Sequence, residues 1–494
     1  MTATRVTALR IGSRHMRTSL RQLSTIPFSS SDSDVADVVI AGGGMVGAAM
    51  ACALGKSYSN SFAGKRIVLL EAASDRGNFM LPDHFSNRTC ALSPATVSLL
   101  SRFGAWQEIE KMRCWPVRRM QVWESCSNAM ITFGQEELME PLAFIVENDV
   151  ILAAILKCLE QAPVSVNIRY RTSALSFQMP GLEASGKTRS KHPWVTVSLP
   201  GGKEIKTPLL IGADGAQSAV RTAARFHTVG WNYKQTAVVA TLQLSEITEN
   251  TVAWQRFLPT GPIALLPLSN EHSSLIWTTT PEHADHLLKL SPDSFVDAVN
   301  DALWHDRDMD TFVNKAHSSF MGLLQSLIPA EVITRQLPPT VLGLGEGTRA
   351  CFPLSLVHSS CYVRPRLALI GDAAHRLHPL AGQGVNLGFG DVSCLTSVLE
   401  DALSCGSDIG SLAHLLSYET KRQRNNLPVL ATIDGLQRLY NTHLMPVVLL
   451  RSLGLSAVNA AESLKVRAEQ CFLQQVTMLF IFAVYCVLVS SELS

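Results

Sequence analysis

Val35-Ala36-Asp37-Val38-Val39-Ile40-Ala41-Gly42-Gly43-Gly44-Met45-Val46-Gly47 is the stretch from which the fold of this chain is read. Its first seven residues carry the pattern of a buried strand, and the glycines that follow, spaced G-x-G-x-x-G, open an apolar helix. Gly42 permits a tight turn, Gly44 leaves room for a pyrophosphate against the backbone, and Gly47 lets helix and strand pack closely. The next strand, Arg66 to Leu70, ends in Glu71. An acid there reads as a ligand of an adenosine ribose, although it lies beyond the usual ~20 residues. The excess is a polar insert, Lys56 to Lys65. A lone G-x-G-x-x-G is a weak signal. Between two strands and with a terminal acid it predicts an α/β dinucleotide-binding domain holding an ADP moiety.

Two later stretches repeat the arrangement. Leu209-Leu210-Ile211-Gly212-Ala213-Asp214-Gly215 is an apolar strand that delivers an acid and glycines into a helix start, followed by Ser218 and Arg221. Asp214 alone reads equally well as a helix cap. Leu367-Ala368-Leu369-Ile370 then runs into Gly371-Asp372 and on through Gly388, with Pro379 at an expected helix start. Asp372, at a strand end, can accept hydrogen bonds from a ribose hydroxyl. Gly382, Gly384 and Gly388 leave backbone bare, so a flat ring could lie there. A helix N-terminus aimed at such a ring favours an anionic form of it. A Gly-rich turn for tight helix–sheet packing explains any one of these turns; three in one chain favour a cofactor. Arg88 reads either as a solvated surface charge or as a bidentate pyrophosphate donor, and the residues alone leave both open.

Outward from these turns, 494 residues give room for two or three domains. Net charge is +1 and 17% of residues are charged, so nothing points to nucleic acid. The 11 cysteines contain no C-x-x-C pair, which argues against a zinc ribbon or disulfide framework and suits a reducing compartment. Residues 1–31 hold Arg5, Arg10, Arg14, Arg17 and Arg21 and no acid, the composition of a mitochondrial presequence; a disordered basic tail is the plainer alternative. The cofactor domain is expected to be discontinuous, over 35–116, 145–232 and 346–404. A β-rich substrate domain, over 117–144 and 233–345, is inserted into it to cover one face of the cofactor. A hairpin is expected around the Pro200-Gly201-Gly202 turn, and an exposed loop over 181–191. C-terminal helices span 411–459, broken at Pro428, and an apolar tail occupies 472–491. A span needs about 20 apolar residues, and Val476 to Val489 falls short of that. A membrane span, a surface or buried helix, and an incidental terminus all remain open for it.

No second G-x-G-x-x-G supplies a nicotinamide domain, which argues against a disulfide-reductase architecture. His375-x-x-His378 has metal-like spacing but lacks further ligands, so no metal is expected.

Taken together, the three turns resemble those of the single-component flavin aromatic hydroxylases. His378-Pro379-Leu380-Ala381-Gly382-Gln383-Gly384-Val385-Asn386-Leu387-Gly388-Phe389-Gly390-Asp391 resembles the signature of the ubiquinone-biosynthesis hydroxylases among them. Gln255-Arg256-Phe257-Leu258-Pro259 with Gly261-Pro262 and Leu266-Pro267 is similar to that family as well. The resemblance runs from Val35 to Asn459. It implies an α/β, glutathione-reductase-type FAD-binding fold with an inserted β-rich substrate domain and C-terminal helices. It also implies non-covalent FAD, with Gly42, Gly44 and Gly47 at the pyrophosphate and Glu71 at the adenosine ribose. Arg88 matches the family's flavin-contacting arginine, Asp214 belongs to a dual-function turn, and Asp372 meets the ribityl and pyrophosphate region. Pro379, Gly382, Gln383, Gly384, Val385 and Asn386 would line the isoalloxazine.

The activity so implied is hydroxylation at C5 of a polyprenylated 4-hydroxybenzoate-derived phenol by O2, through a flavin C4a-hydroperoxide. No catalytic base is singled out. Implied partners are the ubiquinone-biosynthesis enzyme assembly, a ferredoxin with its ferredoxin reductase as electron donors (NADPH, used by related hydroxylases, is the alternative), and the matrix side of the inner-membrane surface. An epoxidase or prenyl reductase on the same fold, or a non-catalytic FAD-stabilised scaffold, are the rival readings. The apolar C-terminus departs from the short polar ending expected of the family.

Overall fold

Val38–Ala41 is buried along its whole length, as expected of a strand covered on both faces of a parallel sheet. It lies inside a six-stranded sheet whose order is Val363–Arg364, Leu367–Leu369, Leu209–Gly212, Val38–Ala41, Ile67–Leu70, Val166–Arg169. All neighbours are parallel except the first pair. In this computed structural model the described residues are 33–57, 60–77, 79–134, 140–180, 193–245, 249–305, 313, 315–320, 322, 336–379, 382–442 and 444–460. The expected presequence (1–31), the 181–191 loop and the apolar tail (472–491) lie outside them.

Register decides where the three turns emerge. Ala41 pairs with Leu70 on one side and Gly212 on the other, and Gly212 pairs in turn with Leu369. The glycine loop, Glu71, Asp214 and Asp372 therefore all leave the sheet at one edge, the carboxyl end, where the strand order reverses and open α/β sheets bind ligands. The helix after the loop, Met45–Gly55, is buried from Gly47 to Gly55. It packs between Asn148–Glu160 and Gly384–Ser404, which is why it is apolar all round rather than on one stripe.

A nine-stranded sheet forms the second layer system. It takes in Arg119–Glu124 and Met130–Phe133 together with Val252–Leu258, Gly261–Pro267 and His272–Thr279. Its long strand, Thr228–Leu244, pairs with Ala350–Ser359 from Thr228↔Ser359 to Val239↔Ala350. Thr228–Leu244 runs through the boundary read from sequence at 232/233, and Ala350–Ser359, which lies beyond the one read at 345/346, is its ladder partner in the same sheet. A motif marks where a turn must be, whereas a continuous ladder runs on through it. Helices Pro281–Lys289 and Pro292–Trp304 begin with Thr280 and Ser291 as N-caps and Pro in the first turn. They close one face of the sheet over Trp254, Trp277, Leu287 and Phe295.

The expected hairpin is present: Val195–Ser198 pairs antiparallel with Glu204–Thr207. The expected break at Pro428 is not. Leu412–Tyr440 is one helix with Pro428 inside it. Leu415, Tyr418, Val429, Leu430, Ile433 and Leu436 form a buried series on both sides of the proline, and that burial outweighs the missing hydrogen bond. A further helix, Met445–Ala460, ends the described residues. Among the described residues no helix is long and apolar enough to cross a membrane.

Candidate cofactor site

The glycines of the first turn answer to distinct constraints. Gly42 has φ of +105°, and a Cβ on it would lie 2.4 Å from the Ala213 carbonyl oxygen, so the first and second turns touch through it. A Cβ on Gly47 would sit 1.9 Å from the Gly42 carbonyl oxygen. At Gly44 a Cβ would meet nothing within 4 Å. The two outer glycines thus shape the loop, while the middle one faces free space at a helix N-terminus. That arrangement accepts a phosphate group.

Glu71 is bound up with the same loop. Its Oε2 accepts from Gly43 N–H at 2.7 Å and its Oε1 from Ala73 N–H at 2.6 Å. Each oxygen keeps a second lone-pair direction for a ribose hydroxyl. The N-cap after the second turn is Ser218, whose Oγ accepts from Arg221 N–H, and Asp214 braces it from four residues earlier. Asp214 Oδ1 accepts from Ser218 Oγ–H at 2.5 Å and its Oδ2 from Val220 N–H at 3.0 Å, at the start of the short helix Ala219–Ala223. Arg221 then ties the second turn to the third, donating to the Ala373 carbonyl at 2.9 Å and the Ala216 carbonyl at 2.6 Å.

In the third turn Gly371 has φ of +59°, and Asp372 remains exposed between buried Gly371 and Ala373. Desolvation by the surrounding walls raises the Asp372 pKa against the opposing pull of His375 and Arg376. The helix expected near Pro379 starts at Gly384, with Gln383 as its N-cap residue. A Cβ on Gly384 would meet nothing within 4 Å, and one on Gly382 only Ala91 Cβ, at 3.5 Å. Gly388 differs from the sequence reading. Its Cβ would meet Val46 Cγ2 at 2.7 Å, so this glycine admits the first helix instead of a flat ring.

The Asn386 side chain is fully committed to the protein. It donates to the Ala91 carbonyl at 2.8 Å, and its Oδ1 accepts from Ser93 N–H at 3.1 Å and Thr96 Oγ1–H at 2.8 Å. What Asn386 can offer a ring is backbone. Val385 packs partly buried against the main core. Arg88 is exposed; its backbone is held by Ser86 Oγ and Asn148 N–H, while its guanidinium makes no hydrogen bond or ion pair among the described residues. It is a cation available to a ligand.

Beneath the third turn lies a polar cluster. Asp391, His375, Arg422 and Asn426 are all buried and joined by hydrogen bonds. His375 gives its Nε2 to Asp391, whereas His378 stacks edge-on against Tyr233 at 5.1 Å. The H-x-x-H pair therefore serves two separate contacts.

The FAD binding domain family matches residues 35–316 and 353–430. A 437-residue alignment with the zebrafish (Danio rerio) protein named ubiquinone biosynthesis monooxygenase COQ6, mitochondrial, is 51% identical and covers 88% of this chain and 89% of that one. The human protein of the same name is 51% identical over 436 residues, covering 88% and 92%. The chain belongs to the family of FAD-dependent ubiquinone biosynthesis monooxygenases.

Solved structures of similar fold include p-nitrophenol 4-monooxygenase PnpA from Pseudomonas putida, with a TM-score of 0.63, 17% identity, and coverage of 90% of this chain and 99% of that one. PqsL of P. aeruginosa in complex with 2-aminobenzoylacetate has a TM-score of 0.62, 19% identity, and coverage of 85% and 99%. As an FAD-dependent monooxygenase, the chain has residues that fit its cofactor. Bare backbone stands at Gly44 and Gly384, Arg88 is a cation without a protein partner among the described residues, and Asp372 is an exposed acceptor. A 240 Å³ cleft is lined by Phe79, Phe85, Asn87, Glu147, Asp149 and Glu346, with Glu147 paired to Arg113 and Asp149 to Arg76.

Sequence reasoning quoted Arg221 and Asp391 within its motifs without giving either a role, and it did not single out Arg422 or Asn426. Asp391 carried a usable signal, an acid among apolar helix positions. Arg422 and Asn426 carried none, because a polar residue in a long helix normally faces water.

Proposed function

We propose that this chain hydroxylates C5 of the aromatic ring of a polyprenylated 4-hydroxybenzoate-derived intermediate in ubiquinone biosynthesis, on the matrix side of the mitochondrial inner membrane. The observation that carries the reading is the exit of three cofactor turns at one sheet edge, in a chain half identical to ubiquinone biosynthesis monooxygenases. Bound and reduced, FAD supplies the electrons with which O2 delivers one oxygen atom to an electron-rich ring while the other leaves as water.

The chain binds, orients and excludes water. In this reading Gly42, Gly44 and Gly47 admit the pyrophosphate, with Arg88 as its counter-charge. Glu71 receives the adenosine ribose, and Asp372 the ribityl chain. The backbone at Pro379 and from Gly382 to Asn386 lines the ring, and Asp214 shapes the neighbouring turn. The N-terminus of Gly384–Ser404 favours negative charge on the reduced ring. The large sheet shields the reacting carbon from bulk water. Electrons come from a ferredoxin and its reductase, and the prenyl tail is held in an apolar channel or in the membrane, within the ubiquinone-biosynthesis assembly.

Mass spectrometry of prenylated ring intermediates in cells lacking this protein, rescued with wild type or Gly384→Trp, tests the reading. Gly384 opens on free space, so the indole enters the cofactor region without displacing core. Accumulation of a precursor lacking the C5 oxygen, rescued by wild type alone, is expected. A normal ring profile, or equal rescue by both proteins, overturns the reading in favour of an epoxidase, a prenyl reductase or a scaffold.

A further inference from the structure

One carboxylate holds both ends of the turn that presents Asp372. Asp391, on Gly384–Ser404, has no exposed surface. Its Oδ2 accepts from Gly371 N–H at 2.9 Å and from His375 Nε2–H at 2.6 Å. Its Oδ1 accepts from Arg422 Nε–H at 2.7 Å and Asn426 Nδ2–H at 3.3 Å. Only Asp372, Ala373 and Ala374 lie between the two donors on Oδ2. The helix that carries Asp391 also begins at Gly384, where the backbone opens on free space.

The charge is well held. Arg422 is itself fastened by the Leu387 carbonyl at 3.1 Å and Asn426 Oδ1 at 2.7 Å. Gly390 leaves the room that Arg422 needs, since a Cβ there would lie 2.7 Å from its Nη2. His375 Nδ1 has no hydrogen-bond partner among the described residues in its buried position, and Nε2 is the ring nitrogen aimed at Asp391.

We propose that Asp391 is a positioning residue for FAD, locking the turn that carries Asp372 to the helix terminus that faces the ring, so that the two contact the cofactor at a fixed spacing. The proposal rests on the reading of Asp372 as a cofactor ligand. Asparagine cannot replace the carboxylate. With its oxygen turned to Arg422, its amide N–H groups face the Gly371 N–H, donor against donor; turned the other way, they face Arg422.

The test compares Asp391→Asn, His375→Phe, Asp372→Asn and Leu287→Ala in the purified full chain. Leu287 is buried in the distant core under the large sheet and serves as the control for lost stability without a lost clasp. His375→Phe removes one clasp and keeps a ring against Tyr362. The readouts are the FAD dissociation constant, the flavin midpoint potential and the melting temperature. Asp391→Asn is expected to weaken FAD binding about tenfold, the size of one charged hydrogen bond left unmade, and to raise the potential by removing a buried negative charge. His375→Phe shifts affinity in the same direction by less, and Leu287→Ala lowers the melting temperature alone. If Asp391→Asn and His375→Phe leave affinity and potential at wild-type values while Asp372→Asn weakens binding, the positioning role is overturned and the Asp372 reading stands. If Asp372→Asn also has no effect, the reading beneath it fails. Should Asp391→Asn not fold, His375→Phe decides by the same readouts.

Discussion

Arg451 Nε and Glu124 Oε2 stand 2.8 Å apart with 3% and 1% of their side chains exposed. Ser127 and Ser452 complete the carboxylate through Oε1. This contact joins helix Met445–Ala460 to strand Arg119–Glu124 of the large sheet. It inverts the usual order of a surface helix, whose polar residues face water.

Arg451→Met leaves Glu124 buried without its counter-charge. The expected loss is about 3–5 kcal/mol in stability, read from denaturant unfolding. Replacing both residues by apolar ones of similar volume is expected to recover most of it, because the desolvation cost then disappears with the charge.

Gly44→Ala and Gly47→Ala separate binding from folding. The first adds a methyl to open space; the second places one 1.9 Å from the Gly42 carbonyl oxygen. Gly44→Ala is expected to fold with a near-normal melting temperature but a reduced flavin-to-protein absorbance ratio after purification. Gly47→Ala is expected to lose both.

A Gly388→Ala methyl would meet Val46 Cγ2 at 2.7 Å. Overpacking of this kind costs about 1–3 kcal/mol, and Val46→Ala in the same chain is expected to return part of it. Thermal unfolding of the two single variants and the double variant measures the coupling. Strict additivity would mean that the two side chains do not compete for the space.

Burial pulls the His378 pKa from its ordinary 6.5 down to about 4. Between those values the unfolded chain takes up a proton that the folded chain refuses. Stability is therefore undiminished above pH ~6.5 and falls as pH drops towards ~4, by at most about 1.4 kcal/mol per pH unit. His378→Phe is expected to flatten that slope in urea titrations across the same range, with wild-type behaviour above it.

The neighbours along the chain were the legible part of this protein. Strand, glycine spacing and terminal acid are local properties. Backbone freedom at Gly42, close packing at Gly47, the acid after Leu70 and the apolar run into each turn therefore declared themselves in order, and with them the α/β class and the FAD-dependent family. The hairpin around Pro200 was local in the same way. Tertiary structure decided what distant pieces do to one another. The register of Ala41 against Leu70 and Gly212 brought three turns to one edge. Continuous burial carried a helix through Pro428, and Val46 claimed the space at Gly388. Asp391, Arg422 and Asn426 became a buried anchor only because two consecutive helices, Gly384–Ser404 and Leu412–Tyr440, fold back on each other. A hydrogen-bond partner 31 residues away, as Arg422 is for Asp391, leaves no periodicity to read; its energy exists only once water has been removed from both groups.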